Sequence, residues 1–137
     1  MDAKEYPPEV AKAFDAMPSD IADVLCEARL AILHTAKMTA GVGQLTETLK
    51  WGEPAYLTEA PKTGTTLRLG QIGGRAAVMV PCSTTIIEDA RTVFGDLPEL
   101  SGKRGLILGG DAQVFGYIVS AALTYHMRKH RSKGKGI

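Results

Sequence analysis

Apolar residues recur at helical spacing through Val10, Ala13, Phe14 and Met17, and again through Ile21, Val24, Leu25, Ala28 and Ile32, so the chain opens with two amphipathic helices. Pro7 and Pro8 suit an opening helical turn, Pro18 interrupts the first helix, and Ser19 is placed to cap a second one from about 20 to 37. On that second helix Cys26, Leu30 and Leu33 fall on a flank away from the main stripe, which calls for cover from a second side. Asp20, Asp23, Glu27 and His34 align along the remaining face as an acidic ridge.

From Gly41 the period shortens and Gly and Pro punctuate it, predicting strands near 45–50, 55–59, 65–72, 75–80 and 104–108. Gly73-Gly74 is a two-residue hairpin turn that needs positive φ. It sets Leu67 opposite Val80, Leu69 opposite Val78 and Gln71 opposite Ala76 on a core face, with Thr66, Arg68, Met79 and Pro81 on the other. Thr85 with Glu88 three residues later has the capping-box spacing for a helix over about 86–94, ended by Gly95. Asp111 is placed to cap a last helix reaching about 131, with Val114, Tyr117, Ile118, Ala121 and Tyr125 on one side and Leu123 and Met127 on the other. The order predicts an α+β sandwich: an antiparallel sheet of about five strands packed against helices, mainly on one face.

The 137 residues fit one domain over residues 1–131 with a basic tail at 132–137, and 45% apolar with 23% charged residues exclude a disordered or fibrous chain. The longest nearly apolar run, Val114 to Leu123, is too short to cross a bilayer, and the acidic start lacks the basic and apolar regions of a signal peptide, so a cytoplasmic protein without a membrane role is expected. Cys26 and Cys82 make no disulfide framework. The net charge of +1 hides opposed ends: Arg128, Lys129, Arg131, Lys133 and Lys135 stand without an acid, whereas the first 27 residues are acidic. No aromatic residue interleaves the basic end, so composition argues against nucleic acid as a partner.

P-loop, GxGxxG, GxSxG and CxxC motifs are all absent, so no reaction is spelled out. The segment KWGEPAYL gathers Trp51, Glu53 and Tyr56 at a turn, either as one wall of a pocket or as a buried aromatic corner. Arg68, the only basic residue on its sheet face, is placed to clamp a carboxylate or phosphate, or to pair with Glu53 or Glu59. Cys82 stands just ahead of a helix N-terminus, which favours a thiolate, though no histidine is assigned to it; Ser83, Thr84 and Thr85 supply hydroxyls that serve as caps or ligand donors. His126 and His130 are one helical turn apart but sit among cations, and Asp20, Asp23 and Glu27 are electrostatically better suited to a metal. The off-stripe residues Cys26, Leu30, Leu33, Leu123 and Met127 are satisfied either by packing within the chain or by a homodimer.

The segments ETLKWGEPAYL, TTLRLGQIGGRAAVMV, PCSTTIIEDARTVFGD and GKRGLIL resemble the YdhG-like family of domains of unknown function. The resemblance runs over residues 15–130 and is most specific at Trp51, Gly52 and Pro54 and at Cys82, Thr84 and Thr85. It implies a frataxin-like α/β sandwich, and for at least one relative a frataxin-like iron chaperone, which here would fall to Asp20, Asp23 and Glu27 and would make iron the cargo. The residues themselves favour a non-catalytic module that binds an unknown small molecule or protein on an open sheet face around Trp51, Glu53, Tyr56 and Arg68, without a predicted cofactor.

Overall fold

The computed structural model describes residues 6–59 and 61–127. Two helices, α1 (Pro8–Asp15) and α2 (Ser19–Met38), precede two antiparallel hairpins, β1 (Leu45–Lys50) with β2 (Glu53–Thr58) and β3 (Leu67–Ile72) with β4 (Arg75–Met79). Then come α3 (Ile86–Phe94), β5 (Leu100–Ser101), β6 (Gly105–Ile107) and α4 (Ala112–Leu123). The six strands form one antiparallel sheet in the order β1-β2-β3-β4-β6-β5, giving an α+β fold. The additional strand is β5; it has only two residues, too few for an alternation to show in the sequence.

The Gly73-Gly74 turn has the expected positive φ at both residues, and Leu69 faces Val78 and Gln71 faces Ala76. Tyr56, Leu67, Leu69, Ala76, Val78, Leu100 and Leu106 point inward and join residues of all four helices in one buried cluster. The opposite sheet face takes no helix into that cluster: its buried Ala55, Ala77 and Met79 stand outside it. All four helices thus cover one face.

Three local expectations are corrected. Ser19 does not cap α2; Pro18 is the N-cap, Ser19 is the first helical residue, and no side chain caps the helix. Thr85 is the N-cap of α3, but its hydroxyl donates to the Asp89 carboxylate, 3.0 Å away, so Glu88 closes no capping box and pairs instead with Arg91. The last helix does not run unbroken to 131: α4 ends at Leu123, and a new helical turn occupies 125–127. The cause is the β2–β3 connection, which enters the ladder: Thr65 N donates to Ala122 O at 2.8 Å, Thr63 Oγ1 donates to Leu123 O at 2.9 Å, and Thr63 O accepts from the His126 amide at 3.0 Å. Gly64 sits between them because a Cβ there would collide with the Ala122 and Leu123 backbone. Asp111 caps α4 as expected, accepting from Gln113 N at 2.8 Å.

The off-stripe residues resolve unequally. Leu123 is buried within the chain, Cys26, Leu33 and Met127 are half-buried, and Leu30 stands 45% exposed. Val24, expected in the core stripe of α2, is exposed at a cleft mouth beside Gly109 and Gly110, which bring no side chains to cover it. His130 and the cations from Arg128 onward lie outside the described residues, as does the tail at 132–137.

Candidate functional site

The β1–β2 hairpin turns on Trp51 and Gly52, with φ of 56° and 75°. Two positive φ values are what a tight hairpin needs to match strand twist, and Asn-Gly normally supplies them. Trp51 is the one non-glycine residue with positive φ among the described residues, and it is 89% exposed. The turn therefore carries its strain for a side chain that packs on nothing large. The aromatic corner expected here is not buried at Trp51.

From that turn the helix-free sheet face extends across β2, β3 and β4. Arg68 Nη1 donates to Glu53 Oε1 at 2.7 Å, both half-buried, so the guanidinium meets a carboxylate of its own chain. The floor beneath is made of small residues. A Cβ on Gly70 would meet the Glu53 carboxylate and Met79, and one on Gly105 would meet Ile72, so those long side chains lie over the two glycines. Ala55, paired with Arg68, and Ala77, paired with Gly70, belong to the same face. The Arg68–Glu53 ion pair, Met79 and Ile72 stand on it, and the exposed Trp51 lies at the hairpin end.

Tyr56 does not share this face. Strand alternation sends Glu53 and Ala55 outward and Tyr56 inward, opposite Glu47 and Leu67, so Tyr56 and Arg68 do not border one cavity. Its hydroxyl donates to Glu47 Oε2 at 2.7 Å, and Glu47 also receives Arg29 Nε at 2.5 Å and Nη2 at 2.8 Å in a two-pronged pair. Arg29 is fully buried; its guanidinium carbon lies 4.1 Å from the centre of the Tyr6 ring, whose hydroxyl donates to Cys26 Sγ at 3.5 Å. Burial, then the hydrogen bond to Glu47, push the Tyr56 phenol far above its ordinary pKa, and the bond to Glu47 pushes Arg29 up. The network is internally satisfied and closed to solvent, a structural pair whose partners cannot be lost singly without stranding a charge, at a cost of about 3–5 kcal/mol. Sequence reading passed over Arg29 and Glu47. The available signal was Leu45-x-Glu47-x-Leu49: alternation puts that acid between two inward leucines, a position that demands a buried partner.

The Cys82 segment is a separate place. Cys82 and Thr85 are exposed, while Thr84 is buried with its hydroxyl donating to Pro81 O at 2.8 Å, which makes it a turn closure. Asp20, Asp23 and Glu27 are all exposed on α2, and among the described residues no three His, Cys, Asp or Glu side chains gather as a metal site. Two clefts flank α2, one beside the β6–α4 turn and one beside the segment leading into β1; neither takes Trp51, Glu53, Tyr56, Arg68, Cys82, Thr84 or Thr85 into its lining. No helix among the described residues is long and apolar enough to cross a membrane. No family model matches the chain, and neither a curated protein nor a solved structure does.

Proposed function

We propose that the chain is a non-catalytic binding module that receives a protein partner on its helix-free sheet face, anchored by Trp51 and aligned by the Arg68–Glu53 pair. The observation that carries this reading is an 89% exposed tryptophan held at a positive φ that an asparagine or glycine would adopt at lower cost. Tryptophans are enriched among the residues that dominate protein interfaces, and a sheet face without an enclosing wall suits a broad contact better than an enclosed small molecule. Arg68 and Glu53, half-buried on that face, supply charges that fix register.

Trp51 is the only tryptophan, so its fluorescence reports this surface alone. The free protein is expected to emit as a solvated indole and to shift to the blue when a partner-containing fraction is added. That partner should be lost by Trp51→Ala and weakened by Arg68→Glu, with circular dichroism unchanged, and retained by Met38→Ser on α2. Retention of the partner by Trp51→Ala would refute the reading.

A further inference from the structure

The C-terminal half of α2 and the 39–44 segment enclose a cleft of about 660 Å³, within the size range of small-molecule sites. Its apolar wall comes from Leu30, Leu33 and Leu45, and Leu30 is left 45% exposed. Its ionisable lining residues are Lys37 and His34, with no acid among the described ones. Of the ridge acids that share a helix face with His34, Glu27 lines the other cleft; it lies one turn before Leu30 and precedes Lys37 by ten residues, about 15 Å along the helix axis.

We propose that this cleft binds a free organic anion with an apolar chain or ring: the apolar part lies against Leu30, Leu33 and Leu45, and a carboxylate is held by Lys37 with His34 as a second donor. Apolar walls alone would accept a neutral or cationic amphiphile equally well; the single sign of charge at the rim selects the anion. The site is concave, which favours a free amphiphile over a lipid surface. It lies on α2 and the β1 approach, so it stands independently of the sheet-face reading.

The test is calorimetry and amide NMR on the full chain with sodium decanoate below its micelle concentration, beside decan-1-ol, decylamine and phosphatidylglycerol vesicles. Decanoate is expected to bind saturably, with shifts confined to residues 30–45, and to weaken as salt rises. Affinity should fall at least tenfold in the Lys37→Gln/His34→Gln double variant and be abolished by Ala40→Trp, which fills the cleft mouth; all three side chains are exposed, so folding is retained. Trp51→Ala should leave decanoate binding unchanged. Absence of saturable decanoate binding, equal binding of decanol or decylamine, unchanged affinity in the double variant, or binding to vesicles alone would each overturn the proposal.

Discussion

At Trp51 the backbone and the side chain make opposite demands. The turn wants a residue that tolerates positive φ, and a bulky L-residue there costs roughly 1–2 kcal/mol. With the indole exposed, replacing it forfeits little packing, so Trp51→Asn is expected to raise stability by about 0.5–1 kcal/mol in urea unfolding while abolishing partner binding. A loss of stability would show that the indole does pack on the sheet. Tyr56 illustrates the reverse, a polar atom fixed by burial. Its phenol titrates near the ordinary value of 10.0 when unfolded and far higher when folded. Above that pH the unfolded chain gives up a proton that the folded chain keeps, so stability present below pH 10.0 is lost as pH rises beyond it. Unfolding free energies between about pH 8 and about pH 11 should fall steeply for the wild type and less steeply for Tyr56→Phe, whose residual slope includes Tyr6, shifted upward by its hydrogen bond to Cys26.

Among the elements, two glycines separate backbone from side-chain crowding. A Cβ at Gly64 meets the backbone of Ala122 and Leu123, which cannot yield without moving α4; a Cβ at Gly70 meets chiefly the mobile end of Glu53. Gly64→Ala should therefore cost about 2–3 kcal/mol, whereas Gly70→Ala should cost under about 1 kcal/mol and act mainly by displacing Glu53 from Arg68. Equal losses in thermal unfolding would contradict this account. The same contrast explains what was legible in the sequence. The hairpin register followed from Gly73-Gly74 and alternation because both are local, and so did the Asp111 cap. The break after Leu123 was not legible, because it is made by Thr63 and Thr65, some sixty residues earlier in the chain. The capping errors at Ser19 and Thr85 arose where Pro18 itself takes the N-cap position of α2, and where Asp89 takes the hydroxyl.

For the whole molecule, the deciding feature is that four helices share one side of the sheet. The sequence announced this through Arg68 and Met79, which alternation assigns to the other face. It misplaced Tyr56 because a turn-centred cluster of aromatic residues says nothing of which way each strand residue points. Of the candidate site, Glu53 and Arg68 pair on the helix-free face and Trp51 is exposed at the adjoining turn, while Tyr56 points inward and Cys82, Thr84 and Thr85 lie in a separate segment. The knot of hydrogen bonds at Thr63 has a temporal side. Amide protons of His126 and Met127, both donating to Thr63 O, exchange when that contact with the β2–β3 connection opens, a different event from the breaking of the i→i−4 bonds within α4. The helical turn at 125–127 is thereby timed by the sheet, and the lifetime of its foothold is that of a loop rather than of a helix.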